Sequence, residues 1–210
     1  MITMGLVRKK AAEQPEDVAP ERPSAEALRA QLDDPDPDCR REAALGLEGD
    51  EESVPHLLTR MTVETETNVR DAILTTLAAH DNETVAGSLA VHLASDDAAL
   101  RTAVAEALAT MPRSMPALLP SLLVAPDHDV RVMTAMVLAD LNHPDTAAWL
   151  VQMISEDPHP NVVTAAIDAL LPVAGPEHAA VLEEAVRRFP DDPFLRFTVQ
   201  AALPRLAGTA

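Results

Sequence analysis

The sequence predicts an all-α solenoid, a stack of about six helical hairpins, and three observations predict it. A leucine recurs at a period near 31 residues, apolar side chains share one helical stripe around each leucine, and turn-forming residues separate the stripes. Composition agrees: 47% of the 210 residues are hydrophobic, only 2% are aromatic, there is no Tyr and there are only 6 Gly. The apolar content is mainly Ala, Leu and Val, and strand-favouring residues never alternate for long. Such a chain suits close helix packing and disfavours a sandwich or barrel.

Six segments align on an apolar residue followed, with one exception, by Arg. They start at Cys39, Val69, Leu100, Val130, Val162 and Leu195, spaced by 30, 31, 30, 32 and 33 residues. Eight residues after each start stands a leucine: Leu47, Leu77, Leu108, Leu138, Leu170 and Leu203. Seven residues after, the side chain is small or β-branched: Gly46, Thr76, Ala107, Val137, Ala169 and Ala202. Offsets 0, 4, 7 and 8 lie on one stripe of a helix with about 3.6 residues per turn. The small residue admits a neighbouring backbone, and the leucine beside it fills the groove so formed.

Each stripe takes a partner helix before it. The first pair joins a helix over 24–32 to the Cys39 stripe across the turn DDPDPD at 33–38. The second sets a helix over 54–62, with Pro55 near its start, before the Val69 stripe; a proline there gives up an N–H that has no helical partner anyway. The third joins 83–93 to the Leu100 stripe across ASDD at 94–97. The fourth joins 115–123 to the Val130 stripe across APDHD at 125–129; Pro116 opens it, and Pro120 inside it should kink it. The fifth joins 145–154 to the Val162 stripe across EDPHP at 156–160. The sixth joins 176–188, opened by Pro176, to the Leu195 stripe. Asp, Asn and Pro in the turns serve as caps and stops. One hairpin cannot hide its apolar face alone, so the pairs must stack. Residues 1–22 mix Pro, Ala and charge without helical period and read as a mobile N-terminal arm, leaving 23–210 as the repeat domain.

The stretch D-P-D-P-D-C-R-R-E-A-A-L-G-L at 34–47 resembles the HEAT repeat, particularly the short form shared with phycobilisome-lyase-like proteins. Asn68-Val69-Arg70-Asp71-Ala72 and Asp129-Val130-Arg131 repeat it more loosely, and the resemblance runs over about residues 24–206. It implies a right-handed α-α superhelix whose Arg-bearing helices line the concave side. Repeat five departs from the pattern with Val163 where Arg is expected.

The formal charge of −18, from 34 acids and 16 bases, argues against nucleic acid and anionic membranes as partners, since both are bound through Lys and Arg. The single Cys39 allows no internal disulfide, CxxC pair or cysteine zinc site. No segment has the apolar run of a signal peptide or membrane span, so a cytoplasmic setting is expected. None of the seven histidines is followed by Glu, and no HExxH, Gly-rich phosphate loop or GxSxG occurs. No catalytic residue, metal ligand or cofactor site is therefore expected.

Two residue sets remain. Arg40, Arg70, Arg101, Arg131 and Arg196 form a ladder that either receives an anion or, as its strict repetition favours, ties each repeat to acids in the adjoining turns such as Asp38, Asp97 or Asp129. The missing Arg at Val163 then implies a looser or more apolar seam. Offsets 2, 5, 6 and 9 are read as outward, and there Leu74, Val132, Met136, Ile167, Leu171 and Phe197, with Val163, compose an apolar surface that the core does not need. These seven residues are expected to hold a partner protein through an apolar segment or a basic surface. The functional expectation is a non-enzymatic scaffold or adaptor, monomeric or weakly dimeric. The alternative implied by the resemblance is a bilin-lyase-like subunit or a chaperone for a tetrapyrrole-bearing protein, although the scarcity of aromatics leaves little to stack on such a ligand.

Overall fold

A computed structural model of the chain describes residues 23–208; the expected mobile arm over 1–22 lies outside them. The described residues form twelve α-helices and no strand. Outer helices α1 (Ala25–Gln31), α3 (Val54–Val63), α5 (Glu83–Ala90), α7 (Met115–Leu122), α9 (Thr146–Glu156) and α11 (Ala179–Arg188) alternate with inner helices. The inner row is α2 (Pro37–Gly46), α4 (Thr67–Ala78), α6 (Ala98–Ala109), α8 (His128–Asp140), α10 (Pro160–Leu170) and α12 (Pro193–Ala207). Each inner helix packs on the preceding outer helix and on its inner neighbours, which makes an α solenoid of six hairpins. Over the first five hairpins the inner row is packed more closely than the outer row.

Local chemistry sets the helix ends. Asp36, Asp97, Asp127 and Asp192 accept hydrogen bonds from the first backbone N–H groups of α2, α6, α8 and α12. His159 does the same for α10 through Nδ1, taking the place of the aspartate. Prolines open α2, α10 and α12. Helix α7 runs through Pro120 without interruption, and the i−4 residue there is itself Pro116. At the end of α2, a Cβ on Gly46 would stand 2.9 Å from Leu28 Cδ1, so the small offset-7 residue does admit the neighbouring helix closely.

The core is one continuous apolar seam. Leu47, Leu77, Leu108, Leu138 and Leu170 are buried, and only Leu203, at the end of the stack, is half-buried. Offset 0 follows suit except at Cys39, which stays half-buried because no hairpin precedes it among the described residues. Offset 5 is the correction. Ala44, Leu74, Ala105, Ala135 and Ile167 are all buried, because an inner helix is covered on two sides, by its outer partner and by the next inner helix. Its apolar face is therefore wider than the stripe at offsets 0, 4, 7 and 8.

Candidate functional site: the inner face and its seams

The arginine ladder is built into the seams. Each guanidinium donates to the backbone carbonyl six residues earlier: Arg40 to Asp34 at 2.9 Å, Arg70 to Glu64, Arg101 to Ser95, Arg131 to Ala125 at 2.6 Å, and Arg196 to Pro190. Two arginines also take a carboxylate from the next hairpin in a two-pronged bond. Arg40 holds Glu64 at 2.8 and 2.9 Å, and Arg131 holds Asp157 at 2.6 and 3.1 Å. Arg70 reaches Asp97 at 3.4 Å, the one acid of the three expected that serves. Asp38 and Asp129 make no ion pair with the ladder. The reason is register: the two carboxylates held in two-pronged bonds, Glu64 and Asp157, stand six residues before the next repeat's Arg position, where the chain leaves its outer helix and passes the previous guanidinium, whereas Asp97 stands four before it.

Glu64 shows the resulting electrostatics. Burial pushes its carboxyl up, but bonds from Arg40, from the Glu66 backbone and from Arg60 outweigh that and hold it down to about 2. Asp81 repeats the pattern at the far edge of one seam, where it accepts bonds from Arg113 and Ser114 of the next hairpin. Burial raises its pKa, the bonds from Ser114 and Arg113 lower it, and the net direction is down. At the repeat lacking its arginine the seam is apolar at that position, and α10 meets α12 over fewer residues than any other pair of inner helices among the described residues. Val163 is fully buried, and Arg188 from α11 donates to the carbonyl of Asp157, the same position six residues back, and to that of Ile154.

The expected partner surface divides. Leu74 is 3% exposed and Val163 and Ile167 are fully buried, so these three do not present an outward apolar surface. Ile167 and Leu74 occupy offset 5, and Val163 fills the vacated arginine position. Val132 and Leu171 are half-buried, while Met136 is 43% and Phe197 67% exposed on the inner face. Leu45, at the same register as Met136, is also exposed.

One groove on this face went unrecognised in the sequence. It lies between α4 and α6, encloses about 510 Å³, and is floored by Leu74, Ala78, Ala103 and Ala107. Asp71 and Glu106 stand on its rim, exposed, and neither carboxylate has an ion-pair partner among the described residues. It exists because α4 and α6 meet over fewer residues than α2 with α4 or α6 with α8. Leu74 is therefore still at the inner face, as the floor of a groove instead of a projecting knob. The signal available in sequence was Ala78 at offset 9 of repeat two with Ala103 and Ala107 at offsets 3 and 7 of repeat three.

Other polar clusters are accounted for locally. Asp127, His128 and Asp129 bring ligand-type atoms within 4.8 Å of one another, but they form the exposed first turn of α8, where the Asp127 side chain already caps the helix. The His128 ring stacks on His159 at 4.0 Å, joining the turns of hairpins four and five. Trp149, half-buried in α9, stacks on His143 at 4.7 Å at the start of its own hairpin. No helix of the described residues is long and apolar enough to cross a membrane.

Comparison with known proteins places this arrangement. The family profile described as HEAT repeats matches residues 23–110 and 115–204, its break falling in the turn between α6 and α7. No curated protein sequence matches the chain. Among solved structures, two engineered proteins align at 19% and 18% identity. They cover 87% and 88% of this chain and 96% and 98% of their own, with TM-scores of 0.38 and 0.39. The complex of CpcE and CpcF of phycocyanin lyase from Nostoc sp. PCC7120 aligns at 16% identity over 94% of this chain and 100% of its own, with a TM-score of 0.37.

Proposed function

The chain belongs to the HEAT-repeat family, and from that premise we propose that it is a non-enzymatic scaffold holding a partner protein against its inner, concave face. The observation that carries this reading is the α4–α6 groove, with its apolar floor and two carboxylates lacking ion-pair partners, on the same face as exposed Met136 and Phe197. An apolar surface with unneutralised acids at its edge suits a partner segment that alternates apolar and basic side chains. Glu64 and Asp81, the carboxyls held low by their bonds, are spent on structural bonds in the seams.

The test is capture with two surface variants. Met136→Glu and Phe197→Glu change exposed residues and leave the seams alone, so the circular dichroism spectrum should be unchanged. Partners cross-linked to the wild-type inner face should fall at least tenfold with the double variant. Equal capture by both proteins overturns the reading. The bilin-handling alternative has little support in the aromatic inventory: Trp149 is stacked on His143, and Phe189 lies under Arg188 with the guanidinium 5.1 Å from the ring centroid. Phe194 and Phe197 alone stand open. A shift in bilin absorbance on adding this protein would favour that alternative.

A further inference from the structure

We propose that residues 2–10 of this chain occupy the α4–α6 groove as a tethered pseudo-ligand, which an incoming partner must displace. The inference rests on the scaffold reading and names the first occupant of the surface that reading uses.

The groove asks for a segment with apolar side chains for Leu74, Ala78, Ala103 and Ala107 and positive charge for Asp71 and Glu106. In a chain of net charge −18, one stretch offers both. Ile2, Met4, Leu6 and Val7 are followed directly by Arg8-Lys9-Lys10, the longest basic run in the sequence and the site of its only lysines. On a rod with twice as many acids as bases, two carboxylates without ion-pair partners beside an apolar floor complement both halves of this segment.

Reach permits it. The first described residue, Pro23, precedes α1, and helices packed side by side lie about 8–10 Å apart, so the groove stands about 25 Å away by the path α1, α2, α4. The twelve residues 11–22 span up to about 40 Å when extended. A tether of that length holds the segment at an effective concentration on the order of millimolar, so a contact too weak to persist between separate molecules is populated within one.

The experiment uses the full chain with Thr3→Cys carrying a nitroxide in a Cys39→Ser background, read by amide line broadening. The expected result is loss of signal strongest at Leu74–Ala79 and Ala103–Thr110, weaker in the neighbouring helices and absent from α12. Reversing Arg8, Lys9 and Lys10 to Glu should restore those signals, as should Asp71→Lys with Glu106→Lys; the former changes lie outside the described fold and cannot unfold it directly. Uniform broadening, none, or broadening centred elsewhere overturns the proposal. So does broadening that appears only when spin-labelled chains are mixed with isotopically labelled ones, which would instead mean docking between copies. Failure here leaves the Met136 and Phe197 capture experiment untouched, so loss of the arm and loss of the scaffold reading are distinguishable.

Discussion

At the residue scale, the seams are held by groups that serve two neighbours at once. The Glu64 side chain binds Arg40 of the hairpin before it, while its carbonyl accepts from Arg70 of its own. Asp157 does likewise, with its side chain on Arg131 and its carbonyl on Arg188. Because the folded pKa of Glu64 lies below its ordinary 4.5, its contribution to stability is complete above pH 4.5 and drains away as pH falls toward 2. Glu64→Gln should therefore lower the thermal midpoint at pH 7 and lose less than the wild type between pH 5 and pH 3, read by circular dichroism melts at both pH values. Arg188→Ala should cost about 1–2 kcal/mol in urea unfolding, since it strips two carbonyls at the end of α9 of their charged donor. Sequence showed the ladder but not its partners. The acids recur six residues before the Arg position only at Asp34, Glu64 and Asp157, with Ser95, Ala125 and Pro190 between them, and a signal present in half the repeats is easily passed over. The substitution by Arg188 had no sequence register at all, because it arrives from an outer helix.

At the element scale, a helix was legible where its apolar period met a capping side chain or an opening proline at one boundary. Helix α6 shows this: Asp97 caps it, Leu100, Val104 and Leu108 line one side, and it ends at Ala109. The width of the buried face was not legible, since one helix read alone does not reveal that Ala105 and Ile167 meet a second neighbour. Burial depth should grade the cost of truncation. Leu108 is fully buried in mid-stack, and Leu108→Ala should cost about 3–4 kcal/mol, whereas half-buried Leu203→Ala in the terminal helix should cost about 1 kcal/mol. Chemical denaturation of both variants measures the difference, and equal losses would mean that the terminal helix is not the looser one.

At the scale of the whole molecule, the solenoid and its repeat boundaries followed from one period in the sequence, whereas the groove did not, because it depends on how far two helices stand apart and not on what either helix is. The whole carries a formal charge of −18 on a rod whose main ion pairs, Arg40 with Glu64 and Arg131 with Asp157, are buried. Screening should then relieve repulsion more than it weakens pairing. Raising NaCl from about 10 mM to about 0.5 M should raise the melting temperature by a few degrees, and a fall would show that exposed pairs such as Arg187 with Glu184 matter more than the seams.

The α4–α6 seam is loosely packed along the inner face yet fastened at its far edge, where Asp81 grips Arg113 and Ser114. Mechanically that is a hinge with its pin in place, set between the pairs α2–α4 and α6–α8, which meet over more residues. Whatever wedges into the gap fixes the opening angle, and so sets the distance between surfaces at the two ends that never touch the wedge.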